Sequence, residues 1–270
     1  MLKLLGVSRS GFLAFLHRKP SASQQRKDMI KDKILQIYND SKQNYGAPKI
    51  ARELQKSGER ISERTVGVYM KEMGIKAQWV KPWTTTTRDS DFSNELHNIL
   101  DEQFNPDRPN AVWCTDITYI WTFDGFVYLT SIMDLYARKI IAWTLSTNME
   151  VSCVIDTINK AKERRSTDQP LILHSDRGSQ YVSKAYREAT EQMQLSYSHK
   201  GYPYDNACIE SFHSLIKREW LNRFKIKDYD QAYRLVFEYI ETFYNTVRIH
   251  SHCDYISPDQ FEKLFEKVAA

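Results

Sequence analysis

The spacing of apolar residues changes at residue 111, and this change constrains the fold more than any other feature of the chain. Within residues 26–40, Ile30, Ile34 and Ile37 recur near the period of a helix. From residue 111 the run AVWCTDITYIW alternates instead, which places every second side chain on one face of a strand. We therefore predict a helical front region followed by a region built on a sheet.

Three β-rich runs joined by short turns follow, and they predict an antiparallel meander. The turns fall at Asp124-Gly125 and Ala137-Arg138. Helical and strand-like segments then alternate: residues 150–165, the strand LILHSD, residues 183–194, the possible strand LSYSH, and residues 205–222 and 228–246. Strands that alternate with helices favour a mixed α/β sheet flanked by helices.

The composition fits a folded chain with one large and one small domain. Of the 270 residues, 41% are hydrophobic, which is enough for a substantial core. No run approaches the roughly 18 consecutive apolar residues of a membrane span. The apolar N-terminal run is interrupted by Ser8 and Arg9 and lacks the cleavage site of a signal peptide. The four cysteines form no Cys-x-x-Cys pair, which indicates reduced thiols in a cytoplasm.

The front region is strongly basic. Residues 1–80 contain 16 Lys and Arg against 7 Asp and Glu, a net charge of +9, whereas the rest of the chain carries −5. Such a bias favours DNA or RNA as the partner, and a solvated basic surface is the plainer alternative.

Two short helices predicted within residues 45–75 fit a helix-turn-helix. Pro48 suits the first turn of one helix, Gly58 its end, and Ser62 the N-cap of the next. The second helix would be the recognition helix. Its basic side chains exposed to DNA would be those of Arg64 and Lys71. An ordinary helical hairpin has the same pattern and stays open as an alternative.

Three acidic residues stand where a site for phosphoryl transfer could be built. Asp116 shares a predicted strand face with Val112 and Cys114, where an acid is costly unless it has a partner or a metal. Asp176 directly follows the strand LILHS, at the end where α/β sheets place their sites, and Glu210 lies in the first turns of a helix. Carboxylates suit two Mg²⁺ or Mn²⁺ ions acting on a phosphodiester. Because the chain has 34 acids, paired surface charges are the alternative.

Three segments resemble, in this order, the signature blocks of the DDE transposases of bacterial insertion sequences: WCTDITYI, HSDRGSQYVSKAYRE and SHKGYPYDNACIESFHSLIK. The segment LGVSRSGFLAFLHR resembles the start of the second-reading-frame product of the IS-three family. The segment YGAPKIARELQ…ISERTVGVYMKEMGIKA resembles the helix-turn-helix that precedes the core in that family. The resemblance implies an RNase H-like core, similar to that of retroviral integrases, with a mixed five-stranded sheet behind a small all-α domain.

The resemblance also implies roles for individual residues. Asp116, Asp176 and Glu210 match the catalytic, metal-binding acids of the family. Lys217 lies two helical turns after Glu210 and matches a lysine that contacts DNA. One departure concerns spacing, since 33 residues separate Asp176 from Glu210, a couple fewer than is usual, and the shortening falls in MQLSYSHKG.

The domains implied are a helical DNA-binding region over residues 1–80, a linker over 81–108 and a catalytic core with a helical extension over 109–268. The implied function is cutting the ends of an insertion sequence and joining the 3′-hydroxyls to target DNA. The implied partners are the terminal repeats, target DNA, the upstream reading-frame product and further copies of the chain. The implied location is the nucleoid in the bacterial cytoplasm, with no membrane partner. A catalytically silent DNA-binding regulator and an RNase H-like metal nuclease remain as alternatives.

Other residues of these blocks have structural interpretations. We expect Asn206 to cap the helix of Glu210, Gly178 to serve backbone shape, and His174 to be a hydrogen-bonded structural residue. The end segment is also interpreted as structural, because its potential metal ligands match no standard zinc pattern. These are His250, His252 and Cys253.

Overall fold

The computed structural model describes residue 6 and residues 8–17, 19–78, 96–165, 169–199 and 202–269. The chain divides into two compact units, Met1–Ala77 and Gln78–Ala270. Most of the expected linker, residues 81–95, lies outside the described residues.

The first unit is helical, as the period of its apolar residues predicts. Its helices are α1 (Arg9–Leu16), α2 (Ala22–Asp40), α3 (Ala47–Lys56) and α4 (Glu63–Glu72). Pro48 lies in the first turn of α3, and the Ser62 hydroxyl caps α4 by accepting a hydrogen bond from the Thr65 backbone N–H. Gly58 ends the first of these helices at a φ of +89°, which favours glycine. The two predicted helices of the helix-turn-helix are therefore confirmed.

In the part of the chain that the structure describes, five strands form one mixed sheet in the order β3-β2-β1-β4-β5. The strands are β1 (Val112–Thr122), β2 (Gly125–Asp134), β3 (Lys139–Ser146), β4 (Ile172–Ser175) and β5 (Gln194–Tyr197). The first three are antiparallel, and β4 runs parallel to both β1 and β5. This is the meander and the mixed sheet that the sequence predicts, and it gives the second unit the RNase H-like fold.

Helices flank the sheet: α5 (Val151–Arg164), α6 (Lys184–Ala189), α7 (Ala207–Glu219), α8 (Tyr229–Tyr239) and α9 (Pro258–Ala269). Helix α6 is shorter than predicted: it ends at Ala189, and strand β5 begins at Gln194. A 3₁₀ turn, Pro203–Asn206, precedes α7, and a π-helical turn, Ile240–Tyr244, follows α8. The sequence did not predict α1 or α9, which lie near the ends of the chain.

One face of the sheet packs against α5 and α6 around Trp113, which is completely buried with Val154, Ile158 and Tyr181. Because strand residues alternate between faces, Asp116 points to the opposite face from Trp113. That face is covered by α7. No helix within the described ranges is long and apolar enough to cross a membrane.

Candidate active site

The pairing of β1 with β4 brings two of the expected acids to the same end of the sheet. Cys114 pairs with His174 in the parallel register, so Asp116 and Asp176 each lie two residues beyond a paired position. Neighbouring strands are about 4.8 Å apart. The two carboxylates therefore come from adjacent, level positions, one within β1 and one directly after β4.

Asp176 is held by the backbone that follows it. The Gly178 N–H donates a hydrogen bond of 2.9 Å to Asp176 Oδ1. A Cβ atom at residue 178 would lie 3.0 Å from the same oxygen, which is too close for an ordinary contact. A side chain at residue 178 would therefore displace the Asp176 carboxylate by a few tenths of an ångström, which gives this glycine a role beyond backbone shape.

Tyr181 packs against β1 at Thr115, the residue before Asp116. Its ring is buried, and its hydroxyl is 3.3 Å from Thr115 Oγ1 on β1. Burial, and then the negative charges of Asp116 and Asp176, raise the pKa of Tyr181 well above its ordinary value. The Tyr181 phenol therefore stays neutral, and both carboxylates disfavour its ionisation.

Asp116 is contacted from α7 by a histidine that our sequence analysis missed. His213 Nδ1 lies 3.2 Å from Asp116 Oδ2, and His213 Nε2 lies 3.3 Å from Ser131 Oγ on β2. The histidine side chain is only 6% exposed. A sequence signal was present, because His213 follows Glu210 by three positions and so lies near it on one side of a helix.

Glu210, the third acid, lies in the first turn of α7 and is exposed to solvent. Partial desolvation raises the pKa of Glu210, and the negative charge of Asp116 raises it further. The helix that carries Glu210 is the one whose His213 contacts Asp116. The structure thus brings Glu210 to the side of the sheet on which Asp116 points.

Lys217 lies on the same helix, where its Nζ is 4.4 Å from the centre of the Tyr119 ring on β1. Burial lowers the pKa of Lys217, and the charge of Asp116 opposes that shift. The ammonium group is therefore placed at the margin of the acidic site. Arg64 and Lys71 are both exposed on α4, as expected.

The oxygen donors of this site suit a hard divalent cation. Across the described ranges, no group of three or more His, Cys, Asp or Glu side chains is arranged to hold a metal ion. The carboxylates of Asp116 and Asp176, at level positions, and of Glu210, whose pKa Asp116 raises, are oxygen donors of the type that such a cation prefers. A divalent cation would also relieve the mutual repulsion of these carboxylates.

One expectation about the site was wrong. Asn206 occupies the N-cap position of α7, but within the described part of the chain its side chain makes no capping hydrogen bond. The preceding 3₁₀ turn gives Asn206 a φ of −114° and a ψ of 21°, whereas capping residues are usually extended. Its side-chain amide donates instead to the Thr115 carbonyl on β1, at 3.4 Å.

Two further histidines have structural contacts. His174 is buried between Ser196 Oγ and Ser198 Oγ, at 2.9 and 3.1 Å, and burial lowers its pKa to about 4. Its interpretation as a hydrogen-bonded structural residue is confirmed. In the end segment, His252 Nε2 lies 2.9 Å from the Tyr136 carbonyl, and the Cys253 thiol donates to the Ala137 carbonyl. These contacts attach the segment to the end of β2.

Family models match both units of the chain. An HTH-like domain matches residues 25–83, and two integrase core domain models match residues 106–203 and 191–258. The fold and the matches together define an integrase-core protein with a helix-turn-helix-like domain in front, a class of nucleic-acid-processing enzymes.

Curated relatives narrow this class. The chain is 37% identical to the transposase for insertion sequence element IS904 of Lactococcus lactis subsp. lactis (strain IL1403), over 92% of this chain and 99% of that protein. It is 34% identical to transposase InsF for insertion sequence IS3A of Escherichia coli (strain K12), over 97% and 92% of the two chains. The chain belongs to the IS3 family of insertion-sequence transposases.

More distant similarity extends to solved viral structures. A simian T-cell lymphotropic virus intasome chain is 13% identical with a TM-score of 0.48, covering 85% of this chain and 74% of that one. The HTLV-2 integrase catalytic core, solved in complex with magnesium, is 15% identical with a TM-score of 0.43, covering 57% and 97%.

Proposed function

We propose that this transposase cuts the ends of its insertion sequence and joins the 3′-hydroxyl ends to target DNA by two-metal phosphoryl transfer. Asp116, Asp176 and Glu210 are the catalytic and metal-binding acids. The observation that carries the proposal is the level placement of Asp116 and Asp176 on parallel neighbouring strands, with α7 presenting Glu210 on the side of Asp116.

The chain's own groups prepare this chemistry. His213 fixes one oxygen of Asp116, and the Gly178 N–H fixes one oxygen of Asp176, so both carboxylates are oriented before DNA arrives. Lys217 supplies a positive charge beside the site for the DNA backbone. Two Mg²⁺ or Mn²⁺ ions, held by the three acids, would activate the attacking oxygen and stabilise the leaving oxygen.

Sequence-directed binding belongs to the first unit in this proposal. Helix α4 presents Arg64 and Lys71 to the terminal repeat, within a DNA-binding region over residues 1–80 that precedes a linker and the core over 109–268. The upstream reading-frame product and further copies of the chain would hold two ends together. The site of action is the nucleoid in the bacterial cytoplasm.

The test is an incubation of the full chain with a labelled duplex that ends in the element's own terminal repeat, in Mg²⁺ or Mn²⁺. Native protein nicks and then joins the end without a covalent protein–DNA link, and Glu210→Gln does neither. Glu163→Gln, which changes an exposed acid on α5, is the matched control and stays active.

Two results would overturn the proposal. Binding without nicking in either metal, with the upstream product supplied, indicates a silent regulator. Hydrolysis of RNA–DNA hybrids or branched DNA without joining indicates an RNase H-like nuclease.

A further inference from the structure

The tip of the β1–β2 hairpin carries an aromatic cluster that the proposed chemistry does not use. Trp121, Phe123 and Phe126 are 54%, 59% and 51% exposed, and Tyr119 is 37% exposed. Trp121 pairs with Phe126 across the two strands, so their side chains share one face of the sheet with that of Tyr119. We refer to these four residues as the aromatic patch.

The rings of the aromatic patch hold one another in place. Tyr119 and Phe126 are in edge-to-face contact with centroids 5.4 Å apart, and Trp121 and Phe123 are in a similar contact at 5.1 Å. Edge-to-face packing leaves a flat ring surface available to a further partner. Large apolar side chains gathered on a surface in this way mark an interaction site.

Three lysines and two aspartates border the aromatic patch. The ammonium group of Lys217 lies over the Tyr119 ring. The Phe123 N–H donates to the Ile226 carbonyl, and the Asp124 N–H donates to the Lys227 carbonyl. These bonds fix the hairpin tip beside a segment with two exposed lysines. The carboxylates of Asp124 and Asp228 lie in the same region and partly offset this positive charge. The lysines of that segment are Lys225 and Lys227.

The patch begins near the candidate active site and extends away from it, with Trp121 about 17 Å along β1 from Asp116. Tyr119 follows Asp116 by three positions on β1, roughly 10 Å along the strand, although it points to the other face. Lys217 links the two positions, because its ammonium lies over the Tyr119 ring and it is on α7, the helix whose His213 contacts Asp116. Aromatic rings interleaved with cations are the usual surface for unpaired nucleotides, whose bases stack while their phosphates meet the charges.

We propose that the aromatic patch binds unpaired DNA nucleotides next to the reacting strand, with Trp121 and Phe126 as the stacking rings. The proposal rests on the proposed function, which supplies DNA at this site. It adds a substrate requirement, since the end of the element must be unpaired locally to reach the patch.

The test measures binding in EDTA, so that no strand is cut. The full chain is titrated into fluorescein-labelled oligothymidylate and, separately, into a labelled blunt duplex that lacks the terminal repeat. We expect Trp121→Ala to weaken single-strand binding about tenfold, in line with the loss of one stacked base, and to change duplex binding less than about twofold. Trp121→Phe keeps most of the affinity because it keeps a flat ring.

Phe237→Ala is the matched control, since Phe237 is an exposed ring on α8, 47% accessible, outside the patch. Unchanged single-strand binding by Trp121→Ala would overturn the proposal, as would an equal loss on duplex. A loss of self-association in sedimentation, with DNA binding intact, would instead assign the patch to a second copy of the chain. Because cutting is not measured, a chain inactive in Mg²⁺ can still show the binding, so the two proposals fail separately.

Discussion

His213 Nδ1 lies 3.2 Å from Asp116 Oδ2, and the same ring reaches Ser131 on its other side, at 3.3 Å. The imidazole therefore connects α7 to both β1 and β2 at Asp116, the only one of the three candidate acids that lies within a strand. Since Glu210 is three residues earlier on that helix, His213 also fixes the helix on which the third acid depends.

Replacing His213 should slow cutting more than it weakens DNA binding. We expect His213→Ala to lower the cleavage rate about 10- to 100-fold, the usual cost of removing a group that orients a metal-binding carboxylate. Cleavage is measured in single turnover and end binding by fluorescence anisotropy. His213→Gln, which retains a side-chain amide, should recover part of the rate. Equal losses in rate and affinity would contradict this orienting role.

Adding one methyl group at residue 178 should damage the site while leaving the fold intact. In Gly178→Ala the new Cβ would meet Asp176 Oδ1 at 3.0 Å and push the carboxylate away. We expect a loss of cleavage of about tenfold or more with a nearly unchanged melting temperature. Gly67→Ala is the control, because its Cβ would lie 3.7 Å from Ala47 Cβ, an ordinary contact. Native activity in Gly178→Ala would show that Asp176 is not positioned in this way.

Lys217 should contribute to DNA binding as a phosphate contact. We expect Lys217→Ala to weaken binding to all duplex sequences alike. The magnitude of the slope of log affinity against log salt should fall by about 1. Lys184→Ala is the matched control, since Lys184 on α6 is 88% exposed. The same change in slope for both variants would indicate diffuse electrostatics in place of a defined contact.

Asp134 should make stability rise on mild acidification. It is completely buried and accepts hydrogen bonds from the Asn110 and Tyr136 N–H groups, and burial raises its pKa to about 6. The folded chain thus binds the proton more tightly than the unfolded chain, whose aspartates titrate near about 3.9. Between pH 7 and pH 5 this group should add about 1 kcal/mol to the free energy of unfolding, and the gain becomes complete only below about pH 3, under the unfolded-state pKa.

Urea unfolding of the native chain and of Asp134→Asn at both pH values isolates this contribution. As the pH falls, the free energy of unfolding of the native protein should rise relative to that of the variant. A difference between the two that does not change with pH would contradict the assignment.

The sequence predicted the fold well where periodicity and turns agree. The alternation of β1 and the short turns after it specify the meander, and the strand LILHS places Asp176 at a sheet end level with Asp116. The mixed α/β sheet and the helix-turn-helix are confirmed. The assignment of catalytic and metal-binding roles to the acids stays a prediction.

What escaped prediction depends on contacts between distant segments. His213 and Asp116 are 97 positions apart, and only the packing of α7 on β1 brings them together. The role of Asn206 was misjudged for a similar reason. Its residue type fits a cap, but the 3₁₀ turn before α7 aims its side chain at Thr115 instead.

The pairing of β1 with β4 has a consequence for the chain during synthesis. Three register pairs join these strands, and β2, β3 and α5 lie between them in sequence. Such non-local pairing is slow to form and follows the local hairpins. The ribosome must also release residues beyond 210 before the third acid can dock. A nascent chain therefore lacks the assembled set of three acids, which we propose as the cutting centre, until most of its length has left the ribosome.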